Sequence, residues 1–205
     1  VMPSSPKDAK GLLLSSIFDP NPVIFLEHRW LHNTYENVKI KDFRIPIGKA
    51  NILKKGNDLT IISMSYLTPE AIRSVKKLKK LNIDCELIDL RTVKPIDWET
   101  IFKSVKKTGR LLVLDTGFSH NSIASEIISK VASNYFNSLK TNPVKLAMPD
   151  VPEPTSVALT KNFYIGPNEI MTAALKIFKK KLAKSDKIKL PLHHDIPGDW
   201  FKGPF

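Results

Sequence analysis

Cysteine occurs once in these 205 residues. One thiol excludes an intrachain disulfide and fits a reducing compartment, so a cytoplasmic location is expected. That cysteine, Cys85, lies in "NIDCELIDL" and reads as a small apolar filler of a buried strand. No apolar run approaches the ~20 residues of a membrane helix, so no membrane association is expected. No secretory signal is visible, and the opening "VMPSSPKDAK" begins with Val, which points to a processed or excised piece. GxGxxG, the P-loop and GxSxG are all missing, which removes the local signatures of dinucleotide binding, nucleotide phosphate binding and serine hydrolysis. The histidines lack zinc spacing as well. His193 and His194, followed by Asp195, have neither an i, i+4 helical face nor paired cysteines, and a solvated tail is the better reading.

Charge, by contrast, is abundant. Lys and Arg number 32 against 20 Asp and Glu, a formal charge of +12. Such an excess suits nucleic acid or an anionic membrane, but its distribution argues for neither. In "PEAIRSVKKLKKL" the apolar Ile72, Val75, Leu78 and Leu81 recur every three residues, while Lys76, Lys77, Lys79 and Lys80 fill the other faces. That is an amphipathic helix with a solvated cationic side. A second cluster, "KIFKKKLAKSDKIK", ends a helix and enters a tail without interleaved aromatics, so no base-stacking surface is expected.

Along the chain, Pro6 to Phe18 reads as a helix whose apolar stripe is Ala9, Leu12, Leu13 and Ile17, stopped by Pro20 and Pro22. "VIFLE" follows as a strand of the kind buried on both faces. His28 to Lys41 loses periodicity and reads as a crossing loop. Beyond it, strands and helices alternate. The strands are Leu59–Met64, Cys85–Leu90, Arg110–Asp115 and "PVKLAM". The helices are Pro69–Leu81, "DWETIFKSVKKTG" with Asp97 as N-cap and Gly109 at its C-terminal end, Ser122–Phe136, and Pro167–Lys181. Strands separated by helices of this length give an α/β fold: a mostly parallel sheet covered by helices on both faces, here preceded by the end of a second α/β domain.

Loops at the carboxyl ends of strands are where such sheets gather ligands. "LLVLDTGFSHNSIASEI" puts His120 in one, where an edge used for binding and an ordinary loop with Ser122 as helix cap are both open readings. "IDLRTVKPIDWETI" puts Arg91 and Lys94 in another, either as an anion site or as partners of Asp89 and Asp97. In "LLLSSIFDPNPVIFLEH", Asp19 and Asn21 sit at a hinge between two apolar runs, the pattern of an Asx-type turn.

Taken together, "SSPKDAKGLLLSSIFDPNPVIFLEH", "IPIGKANI", "LIDLRTVKPIDWETI", "KKTGRLLVLDTGF" and "SEI" resemble beta subunits of the thiamine-diphosphate-dependent 2-oxo acid dehydrogenases of the pyruvate and branched-chain type. Transketolase and deoxyxylulose-phosphate synthase are more distant relatives. The resemblance implies that residues 1–47 end a pyrimidine-binding domain, that 48–183 form a transketolase-type C-terminal domain, and that 184–205 are an irregular tail. It also implies a dimer or an alpha2beta2 assembly with an alpha subunit, docking of a lipoyl acyltransferase component, and thiamine diphosphate with Mg²⁺ in the complete enzyme.

The family's thiamine-activating Glu and active-site His lie in a segment upstream of the part matched here. The expectation is therefore a portion that supports oxidative decarboxylation by dimerisation and docking and is inactive alone. A stand-alone non-catalytic α/β module, or a piece of a transketolase or deoxyxylulose-phosphate synthase relative, is the alternative. The family's potassium site, formed by main-chain carbonyls and an Asn, matches Ser16, Ile17, Asp19 and Asn21 here. The loop after "LLVLD" departs from the family's pattern: Thr116 replaces the usual Glu, Ser122 and Ala124 stand at common glycines, and His120 stands where Gln or another polar residue is usual.

Overall fold

A computed structural model describes residues 1–160 and 163–190. Its framework is β1 (Asn51–Lys54), β2 (Leu59–Ser63), β3 (Cys85–Asp89), β4 (Leu111–Phe118) and β5 (Val144–Met148), in the spatial order β1-β3-β2-β4-β5. β3, β2, β4 and β5 are parallel neighbours, and β1 runs antiparallel to β3 along one edge. The helices are α1 (Pro6–Ile17), α2 (Leu67–Lys80), α3 (Trp98–Thr108), α4 (Ile123–Tyr135), the short α5 (Val157–Thr160) and α6 (Pro167–Ile177). The α/β reading holds: a mostly parallel sheet with helices on both faces.

Alternation along the central strands builds two cores. Leu59, Ile61, Leu87, Leu112 and Leu114 face α2 and α6, where Val75, Leu78, Ile170, Met171 and Ala174 meet them. Ile62, Ile88, Leu111 and Val113 point the other way, onto Ile101 and Val105 of α3 and Ala124, Ile127 and Val131 of α4. With both faces covered, every residue of β2 and β3 is buried. That is why these strands read as near-continuous apolar runs. Two polar residues also face α3: the Thr60 hydroxyl is satisfied by Ser104 at 2.7 Å and Thr108 at 2.8 Å, and the buried Glu86 pairs with Lys107.

Helix ends follow local chemistry. The carboxylate of Asp97 accepts from the Thr100 N–H at 3.2 Å, and Gly109 closes α3 in the left-handed region at φ 71°. Ser122 caps α4. Asn82 (φ 57°) and Lys179 (φ 56°) take the same left-handed conformation just past α2 and α6. Lys179 therefore ends the last helix at Ile177 rather than at Lys181.

The first 47 residues depart more from the sequence reading. Of the stripe assigned to α1, Leu12 is fully buried, whereas Leu13 and Ile17 are exposed. α1 packs instead on a small cluster of Val1, Leu12 and Ile45 with Val23, Phe25, Phe43 and Ile47. "VIFLE" carries no sheet ladder among the described residues: Val1 bonds to its main chain, through its ammonium to Ile24 O at 2.7 Å and its carbonyl from Leu26 N at 2.9 Å. Ile24 is 74% exposed, so only Val23 and Phe25 turn inward and the segment is not buried on both faces. The crossing loop contains one short 3-10 turn, Arg29–Asn33. His193, His194, Asp195 and the end "GDWFKGPF" lie outside the described residues.

Candidate functional site

Strand order sets where a crevice forms. From β2 the chain passes through α2 to β3 on one side, whereas from β4 it passes through α4 to β5 on the other. The carboxyl ends of β2 and β4 therefore diverge at a topological switch point, the usual ligand position in open α/β sheets. A cavity of about 170 Å³ opens there, lined by Tyr66 after β2, by Thr116, Gly117 and Phe118 at the end of β4, and by Met148 ending β5. His28, Glu153, Phe163 and Tyr164 complete it.

Aromatic rings dominate this end of the sheet. Tyr66 lies 4.5 Å from the His28 ring and 5.0 Å, edge-on, from Trp30. Trp30 is 5.2 Å from Tyr164, which is 5.2 Å from Phe163. The Tyr164 hydroxyl donates to Glu153 Oε1 at 2.6 Å. His28 Nδ1 accepts from the Trp30 N–H at 3.3 Å, and burial holds its imidazole below the usual histidine range despite the pull of Glu153. The buried Tyr66 phenol is pushed well above its ordinary value, chiefly by loss of water, so it stays neutral.

The β4 loop is fixed by one carboxylate. Asp115, buried at the strand end, accepts from Gly117 N–H and Ala124 N–H, both at 2.9 Å. The β4–β5 register shifts between Leu114 and Phe118, a bulge that turns Phe118 toward the cavity. His120 is exposed on the turn beyond, which is an ordinary loop capped by Ser122. His120 is not among the cavity's lining residues.

Arg91 is neither an anion site nor a side-chain partner of Asp89. It bonds to Asp8 at the start of α1, while its backbone N–H donates to Asp89 Oδ1 at 3.2 Å. Asp97 is spent on capping α3 and on the Ala50 N–H, at 3.1 Å, rather than on Lys94. Asp8 carried no local signal because its partner stands 83 residues away.

At the hinge, Asp19 Oδ1 accepts from both the Asn21 N–H at 2.9 Å and the Asn21 side-chain amide at 3.1 Å, an Asx turn. Ser16 Oγ donates back to Leu12 O at 2.8 Å, and the Ser16 carbonyl receives a long 3.4 Å bond from the Asp19 N–H. The Ser16 carbonyl, one of the four positions matched to a cation site, is thus already an acceptor of main-chain N–H groups. It lies at the negative end of α1. Among the described residues no group of three or more His, Cys, Asp or Glu is placed to hold a metal ion.

Thiamine diphosphate does not fit the cavity at the switch point. That cavity is small and, among the described residues, has no cationic side chain for a diphosphate. A cavity of about 740 Å³ lies between β1 and α3, lined by Lys49, Lys55, Lys103 and Lys107 with Glu86, Asp97 and Glu99. Lys107 pairs there with Glu86, and Lys49 with Glu99 at 4.0 Å. No helix among the described residues is long and apolar enough to cross a membrane.

Comparison with known proteins agrees with this architecture. Residues 48–170 match the family described as "Transketolase, C-terminal domain". The chain is 43% identical over 162 residues to the "Pyruvate dehydrogenase E1 component subunit beta" of Rhizobium meliloti (strain 1021), covering 78% of this chain and 35% of that one. It is 38% identical over 159 residues to the subunit of the same name in Bacillus subtilis (strain 168), covering 77% and 49%. The "Acetoin:2,6-dichlorophenolindophenol oxidoreductase subunit beta" of Cupriavidus necator is 37% identical over 179 residues, covering 87% and 53%. A solved "Split gene transketolase, inactive beta4 tetramer" superposes with a TM-score of 0.59 at 24% identity, over 72% of this chain and 47% of that one, and shares the fold. The chain spans about half the length of the curated relatives, or less. With the family matched over most of the sheet, the chain belongs to the transketolase C-terminal domain family, as the C-terminal portion of a 2-oxo acid dehydrogenase beta subunit.

Proposed function

We propose that this chain serves thiamine-diphosphate-dependent oxidative decarboxylation of a 2-oxo acid by subunit association and partner docking, without supplying acid–base groups of its own. In this reading residues 1–47 end a cofactor-binding domain, 48–183 form the C-terminal domain, and 184–205 are a tail. A homodimer or an alpha2beta2 assembly with an alpha subunit, served by a lipoyl acyltransferase component in the cytoplasm, is the working form. Thiamine diphosphate and Mg²⁺ belong to that assembly.

The observation that carries the proposal is the uncovered apolar face of the first segment. Leu13, Ile17, Phe18, Ile24 and Leu26 are all exposed on α1 and the extended run after it. Exposed apolar side chains gathered on one helix and the run after it mark a contact with another polypeptide. The relatives are named as subunits, which fits such a surface. A relative named for acetoin leaves the substrate open among 2-oxo acids and that compound. The hinge belongs to the same reading, with a potassium ion held by the carbonyls of Ser16, Ile17 and Asp19 and the Asn21 side chain.

The test is to mix the 205-residue chain with a candidate alpha subunit, thiamine diphosphate and Mg²⁺. Light scattering then reports assembly, and carbon dioxide release from pyruvate and branched 2-oxo acids reports turnover. Association without turnover by the chain alone is expected. Decarboxylation by the isolated chain overturns the proposal, and a monomer that never associates favours the stand-alone module.

A further inference from the structure

The switch-point cavity has a chemical character that the family assignment does not explain. Its walls are the faces and edges of Tyr66, Phe118, Phe163 and Tyr164 with the Met148 thioether. Its one acidic lining residue is Glu153, exposed at the mouth and hydrogen-bonded to the Tyr164 hydroxyl. The chain carries 32 lysines and arginines, yet none of those among the described residues lines this cavity. In so cationic a protein, a ring of aromatics beside a single carboxylate is a local inversion of charge.

Each component acts in the same direction. The negative face of an aromatic ring attracts a cation, most strongly where water is partly excluded. A carboxylate at the rim adds a counter-ion, and thioether sulfur packs well against methyl groups. His28 does not oppose this, because burial keeps its ring uncharged near neutral pH. An engineered apolar cavity of about 150 Å³ accommodates benzene, so one of about 170 Å³ takes a group of roughly six or seven heavy atoms.

We propose that the crevice between the carboxyl ends of β2 and β4 is a binding site for a small quaternary ammonium compound of about choline size. Its methylated head is enclosed by Tyr66, Phe118, Phe163 and Tyr164 and neutralised by Glu153. All of its described walls come from this chain, so the isolated chain can be tested for binding. The site is distinct from the apolar face of residues 1–47.

Calorimetric titration of the 205-residue chain tests it, with choline chloride as probe and sodium chloride holding ionic strength constant. Saturable one-to-one binding is expected. The uncharged isostere 3,3-dimethylbutan-1-ol should bind about tenfold more weakly. Glu153→Gln and Phe118→Ala alter exposed side chains, so their unfolding midpoints should stay near that of the parent, while choline binding falls about tenfold in each. Absence of saturable choline binding overturns the proposal. Equal affinity for the isostere overturns it too, since the cavity is then simply apolar, as does choline affinity unchanged by both substitutions.

Discussion

Arg91 and Asp8 form a two-pronged ion pair, Nε to Oδ2 at 2.9 Å and Nη2 to Oδ1 at 2.5 Å, between the loop after β3 and the first turn of α1. Both side chains are largely buried, so removal of either strands a charge. Arg91→Ala or Asp8→Ala should each lower unfolding stability by about 3 kcal/mol in urea titrations. The double variant should recover part of that loss, and strictly additive losses would show that the pair is not coupled. Arg91→Lys will not restore the wild-type value, because an ammonium cannot reproduce the fork.

Asp89 lies beneath this pair, and its carboxyl is raised to about 7, first by burial and then by the Asp8 charge. The folded state thus holds this proton more tightly than the unfolded chain, whose aspartates ionise near 4. The resulting stabilisation is full below about pH 4 and is lost as pH rises through about 7. Asp84 has the opposite sign, lowered to about 2 by the Lys79 and Lys54 hydrogen bonds, so its contribution is lost only below about pH 4. Asp89→Asn should remove the decline between pH 4 and 7 and leave the acid limb in place. Denaturation midpoints across pH 3 to 8 check this, and an unchanged slope between 4 and 7 refutes it.

Cys85 offers a simpler test. It is fully buried, and burial pushes its thiol up to about 12. Native protein at pH 8 should therefore resist an aromatic disulfide reagent, with one thiol released on unfolding in guanidinium. Rapid native labelling would place the sulfur at the surface.

Gly56 is the tightest point in the turn between β1 and β2. A Cβ there would lie 2.2 Å from the Cys85 carbonyl carbon and 2.4 Å from its oxygen, backbone atoms that cannot swing aside. Gly56→Ala should cost on the order of 3 kcal/mol in urea unfolding. A loss below half of that would mean that the two strands separate easily.

For the hinge, potassium should raise the thermal midpoint of the chain above that in lithium at equal ionic strength, and Asn21→Ala should abolish the difference. Equal midpoints in the two salts reject a selective site.

Much of the sheet could be read from the sequence, because β2 and β3 are buried at every position and the flanking helices are strongly amphipathic. The caps Asp97, Gly109 and Ser122 were also legible, since helix ends obey local chemistry. β1 was not, for "NILK" is short, partly exposed and without alternation. Its strand character comes from the open edge of β3. The stripe on α1 misled for the opposite reason: its spacing promised burial, yet nothing among the described residues covers Leu13 or Ile17. The aromatic crevice left no pattern at all, as His28, Tyr66, Phe118 and Tyr164 come from four separate stretches.

The antiparallel β1 gives the sheet two unlike margins. Along its outer side β1 is bulged between Ile52 and Lys54 and flanked by Lys54 and Lys55, features that discourage a further strand. At the opposite margin, the amine of Lys145 in β5 is drawn onto the Ser119 carbonyl and the Ser125 hydroxyl. At β1 the bulge and the lysines oppose growth of the sheet by strand exchange, whether in assembly or in aggregation.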